Sequence, residues 1–211
     1  MSERTIYEAL IHGGLNHIGA LAVMGNMMAE SAMRANNVQD TYESIVGLND
    51  TQYTDAVDSG RYSAHDFKTD SVGYGLCQWT LASRKMNLYN FAKSRGASIG
   101  DEDMQVQFCL NELRTLFAGL YDYLCYAGDL YEATKRVCYE FENPQFKNVS
   151  VRHKYAIEIG LRLENQGVAI IDDSENIGEK DANVAIVDYD YISDIEAHSK
   201  AILEIIKQLR N

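Results

Sequence analysis

A mostly α fold, a helical domain packed around one buried central helix with a small β element beside it, is what this sequence predicts. Three observations carry that expectation. An almost unbroken apolar run, Ile18 to Ala29, is too uniformly apolar for a surface helix and belongs in the middle of a core. Several later segments repeat their apolar residues at helical spacing and end at glycine or asparagine. A single proline, and few short β-branched stretches between turn signals, argue against a sandwich or barrel.

In chain order, a first helix covers residues 3–12 and stops at Gly13-Gly14, after which Asn16 caps a second that reaches Glu30 or Ser31. Asn26 and Glu30, four residues apart, share one face of that apolar helix. From Ala32 to Val72 the chain is polar and rich in Asn, Asp, Ser, Gly and Tyr; one short helix is expected near 51–58, capped by Asn49 or Asp50. An ordered excursion of this length suits the wall or lid of a cleft. Amphipathic helices follow at about 83–95, 102–117, 130–142 and 150–164. Asp129 with Glu132 opens the third, and Asn143-Pro144 ends it because the residue before proline disfavours helical dihedrals. The domain is expected to span residues 1–167. Residues 168–190 read as an acidic linker or small hairpin, and 191–211 as an amphipathic helix with an isoleucine seam. That last helix either packs on its own domain or docks onto a second copy or another partner.

The net charge of −12, from 31 acidic and 19 basic residues, lacks the basic footprint of a nucleic-acid binder. It also opposes simple adhesion to anionic membranes or wall polymers, so such a target must be held by a shaped groove. The cysteines Cys77, Cys109, Cys125 and Cys138 stand singly among apolar residues and read as buried thiols, with neither a zinc pattern nor a cofactor motif in the chain. The start of the chain lacks a signal core, and the 18–29 run is too short to span a bilayer, so synthesis in the cytosol without membrane insertion is expected.

Chemistry concentrates at Glu30 and at the glycine-rich aromatic segment Gly73-Tyr74-Gly75-Leu76-Cys77-Gln78-Trp79-Thr80. A glutamate at the edge of a buried helix tends to keep its proton, and a neutral carboxylic acid can protonate a leaving oxygen. The order Gly25-Asn-Met-Met-Ala-Glu30-Ser31, then Gln39, then Tyr74-Gly-Leu-Cys-Gln-Trp-Thr80 with Arg84, resembles the phage tail lysozyme family of the lysozyme-like superfamily. Gln105-Val-Gln-Phe with Glu112-Leu113, and Phe141-Glu-Asn-Pro144, extend the resemblance to roughly residues 5–165. The Glu-Ser and Gly-Leu-x-Gln order is also similar to goose-type lysozymes and lytic transglycosylases.

This resemblance implies an α+β lysozyme-like fold and a glycosidase acting on bacterial peptidoglycan, with Glu30 as general acid at the β-1,4 bond between N-acetylmuramic acid and N-acetylglucosamine. Asp70 is the candidate second carboxylate, with Asp55, Asp58 and Asp66 as competitors. Without one, the sugar's own C6 hydroxyl gives a 1,6-anhydro product. Asn26 and Gln78 carry amides suited to N-acetyl and hydroxyl groups, and Tyr74 and Trp79 carry flat faces for sugar stacking. Each has a plainer alternative: core packing for Trp79, backbone satisfaction for the amides, and an ion pair with an arginine such as Arg84 for Glu30. The enzyme would be an endolysin released at lysis or a tail-associated lysozyme. A silent wall-binding or tail-assembly module is the competing reading.

Overall fold

The computed structural model describes residues 3–40 and 47–168. The described residues all fall in the first of two units of the chain, residues 1–173. The expected linker and C-terminal helix, beyond Val168, lie outside the described residues. Helices α1 (Glu3–His12) and α2 (His17–Ser31) are followed by α3 (Asp50–Asp58), α4 (Ala64–Thr69), α5 (Ala82–Ser94), α6 (Glu102–Leu116), α7 (Ala118–Cys125) and α8 (Leu130–Arg136). A π-helical stretch, Val137–Glu142, continues α8, and α9 (Val149–Asn165) closes the bundle.

The central helix is α2. Asn16 starts it by accepting the Gly19 N–H, and Ala32 ends it in the left-handed region with its N–H on the Met27 and Met28 carbonyls. From Gly19 to Met27 the helix is buried all round, as an apolar run without an amphipathic face requires. Helix α9 lies along it at backbone distance: a Cβ on Gly25 would stand 2.5 Å from the Arg152 carbonyl oxygen. Only glycine permits that approach, and the approach sets the side chains of α9 beside the last two turns of α2. Helices α1, α7, α8 and the π-helical stretch pack around the rest.

Most predicted helices form within a residue or two of their expected ends, and the caps Asn16, Asn49 and Asp129 are used. Two short helices were not foreseen. Helix α4 begins where Ser63 accepts the Asp66 N–H, inside the polar excursion. Helix α7 follows α6 after a break at Phe117. Among the described residues the β element is reduced to isolated antiparallel bridges, Val38 with Tyr74 and Tyr74 with Trp79. Between Tyr74 and Trp79 the chain makes a tight turn, with Gly75 at φ +78° and Gln78 at φ +44°. Cys77, Cys109 and Cys138 are buried free thiols, and Cys125 is half-buried.

The excursion is anchored by a buried charged cluster. Lys85 on α5 is fully buried and pairs with Asp70 at 2.5 Å, while its ammonium also donates to the Tyr53 hydroxyl and the Val72 carbonyl. Asp70 accepts from Tyr53 and Tyr62 as well, and from the Val72 N–H. Desolvation pulls the Lys85 pKa down, opposed by the Asp70 charge, and burial pushes the Tyr53 phenol up. The rings of Tyr53, Phe67 and Tyr74 pack beside this cluster.

Candidate active site

Helix α2 ends at the wall of a cavity of about 670 Å³. Glu30 and Gln39 line it, with Gln78, Thr80 and Leu81 from the glycine-rich turn and its exit, Arg84 from α5, Phe117, and the segment Glu140–Gln145. Two glutamates, Glu30 and Glu142, thus reach one cavity from elements far apart in sequence.

Glu30 is mostly buried, and one of its carboxylate oxygens accepts from Arg152 Nη2 at 2.6 Å. Arg152 Nη1 donates to Asn26 Oδ1 at 3.1 Å, and the Asn26 amide nitrogen donates to the Ala22 and Thr134 carbonyls. Asn26 is therefore fixed on both sides: its job is to hold the guanidinium that holds Glu30. The Asn26 and Glu30 stripe foreseen on α2 exists, and an arginine on α9 joins its two members. Arg84, the partner that sequence suggested, is spent elsewhere. Its Nε and Nη2 grip Glu112 at 2.9 and 2.7 Å, its Nη1 donates to the Phe141 carbonyl, and its plane lies 4.5 Å from the Phe141 ring centre.

That last bond matters for Glu142. The π-helical stretch closes with the Asn143 N–H on the Cys138 carbonyl and Asn143 in the left-handed region, leaving the Phe141 carbonyl for Arg84. Glu142 is thereby held at the cavity wall. Burial pushes its carboxyl up to about 8, reinforced by the neighbouring Glu30 charge and opposed by Arg84 and Arg152. Glu142 belonged to the Phe-Glu-Asn-Pro motif but drew no role from sequence, where it read only as a helix end.

The remaining predicted site residues part company. Gln78 does line the cavity, its amide nitrogen tied to the Asn37 and Gly75 carbonyls. Trp79 does not: it is buried against Phe108, with its indole N–H on Glu112 at 2.7 Å. Tyr74 is equally buried, its hydroxyl 2.6 Å from that of Thr54. Both rings face core instead of solvent, so neither offers a face to a sugar. The close approach at Gly75 also serves the interior, since a Cβ there would meet the Gln105 amide at 2.5 Å. Asp70 is absent from the cavity wall, because Lys85, two tyrosines and a backbone N–H occupy it in the anchor of the excursion.

Chemically, the cavity offers two carboxyl groups in unequal surroundings, one ion-paired and one desolvated, flanked by amide and hydroxyl side chains. Two carboxyls in different surroundings are what acid-assisted cleavage of a glycosidic bond requires. No curated protein matches the chain. A family model described as phage tail lysozyme matches residues 2–160, which spans α1 through most of α9 and includes both glutamates. With the match covering well over half its length, the chain belongs to the phage tail lysozyme family, a family of lysozyme-type peptidoglycan hydrolases.

Proposed function

We propose that the chain cleaves the β-1,4 bond between N-acetylmuramic acid and N-acetylglucosamine in bacterial peptidoglycan, with Glu30 as general acid and Glu142, in place of Asp70, as the second carboxyl. The observation that carries this reading is the meeting of Glu30 and Glu142 on one cavity. As water gives a proton to ionised Glu142 and adds to the sugar C1, Glu30 gives its own proton to the departing glycosidic oxygen. The carboxylate left behind is stabilised by Arg152, which strengthens as the negative charge develops. Gln78 and Thr80 face the same space and suit the N-acetyl and hydroxyl groups of the bound sugars. The enzyme would act as a lysis-released endolysin or as part of a virion tail. Mass spectrometry of peptidoglycan digested by the full chain tests the reading. Disaccharide fragments with reducing muramic ends support hydrolysis, and 1,6-anhydro ends turn it into a transglycosylase. Intact wall leaves only a binding or assembly module.

A second assignment of roles has its own support. In the free protein Glu142 holds a proton at neutral pH while Glu30 accepts from an arginine, so Glu142 can be the donor and Glu30 the charge that stabilises the cationic sugar. Both assignments need one proton on the pair, carried by Glu142 in the free protein. Its raised pKa keeps that proton below about 8 and loses it above. The wild-type rate should therefore fall on the alkaline side near pH 8. Glu142→Gln should lower kcat by roughly 100-fold and its residual activity should lack that limb. A variant with unaltered rate and profile would remove Glu142 from the mechanism.

A further inference from the structure

Three aromatic side chains between the start of α8 and the residue after the cavity-lining segment are not absorbed by the core. Tyr131, Tyr139 and Phe146 are 45%, 50% and 80% exposed. Tyr131 opens α8, Tyr139 lies in the π-helical stretch that continues it, and Phe146 directly follows Gln145 on the cavity wall. The Tyr131 ring meets His153 edge-on at 5.3 Å, and the Tyr139 ring lies 5.3 Å from the Lys147 ammonium. Both tyrosines therefore sit on the flank that faces the start of α9. Eight residues of helix separate them by roughly 12 Å along the axis, a span of about two sugar rings.

We propose that Tyr131, Tyr139 and Phe146 form a track on which a glycan strand lies as it enters or leaves the cavity, a proposal that rests on the glycosidase reading above. Three features favour a polysaccharide as the occupant. Tyr139 and Phe146 directly flank, in sequence, the Glu140–Gln145 segment that lines the cavity, so a chain too long for the cavity must cross surface beside them. Tyrosine presents an apolar face with a polar tip, the surface that a sugar ring with its hydroxyl edge can cover. Lys147, beside Tyr139, supplies a cation for the lactyl or stem-peptide carboxylates of an anionic wall, on a chain whose net charge of −12 otherwise repels them. The track thus takes over the stacking role for which Trp79 and Tyr74 are too deeply buried.

Binding can be measured apart from cleavage. In the full-length Glu30→Gln background, co-sedimentation with purified peptidoglycan sacculi should weaken about ten-fold when Tyr139→Ala and Phe146→Ala are combined. Tyr139→Phe with Phe146→Tyr should restore it, because the rings and not their substituents make the contact. Unchanged retention of the double alanine variant would overturn the track, as would aromatic replacements that bind no better than alanine. Sedimentation velocity without sacculi covers the rival occupant: a self-associated parent that becomes monomeric in the alanine variant would assign the row to a second copy. Failure of the glycosidase reading shows separately, as wild-type protein that binds sacculi and releases no fragments.

Discussion

Glu30→Gln is expected to reduce cleavage of purified peptidoglycan by roughly 100- to 10,000-fold, about 3 to 5 kcal/mol of lost transition-state stabilisation, while leaving the fold in place. The amide keeps an oxygen that can accept from Arg152, so the Asn26–Arg152 arrangement survives and thermal unfolding should change little. Only the transferable proton is lost. A synthetic glycoside with an acidic phenol as leaving group separates the two assignments of roles, because its departure needs no protonation. If Glu30 is the acid, Glu30→Gln should regain most of its rate on that compound while Glu142→Gln does not. The reverse pattern would assign the proton to Glu142. Full activity of Glu30→Gln on the wall itself would end the glycosidase reading at this cavity.

Asp70→Ala should produce a comparably large effect by a different route. It leaves the Lys85 ammonium buried without its counter-charge and removes the acceptor of two tyrosine hydroxyls. Breaking such a pair costs about 3 to 5 kcal/mol, enough to threaten a marginally stable domain. Denaturant unfolding should show the loss as a lower midpoint. Asp70→Asn combined with Lys85→Met removes both charges while keeping an acceptor for the phenols, and should recover most of the stability. Activity should recover with it. A stable double variant that remains inactive would return Asp70 to the catalytic apparatus.

The helical architecture was legible because it follows from local rules. An apolar run with a capping asparagine in front reads as a buried helix whatever surrounds it, and Glu30 at its end was found the same way. What escaped depends on which distant groups meet. Asn26 reads as a sugar-facing amide until α9 brings Arg152 across to occupy it. Trp79 and Tyr74 carry the same side chains whether they face a ligand or a core, and only the packing against Phe108 and Tyr53 decides. Asp70 looked like a loop carboxylate, since nothing local shows that Lys85 turns inward from α5. Glu142 was hidden for the opposite reason: its motif ends at a proline, and the helix-stop reading of Asn143-Pro144 left no question to ask of the residue before it.

The π-helical stretch Val137–Glu142 has a consequence for how this chain tolerates change in length. A π-helix accommodates one residue more than an α-helix of the same span, and its hydrogen bonds are the poorer for it. Losing one residue between α8 and Glu142 would let the segment relax into regular α-helix, with better backbone bonding. Because the five remaining residues cover the same span, the register downstream is kept, with Glu142 at the cavity wall and the Phe141 carbonyl on Arg84. A one-residue deletion here should therefore be tolerated better than one inside a regular α-helix, where everything downstream would turn by about 100°.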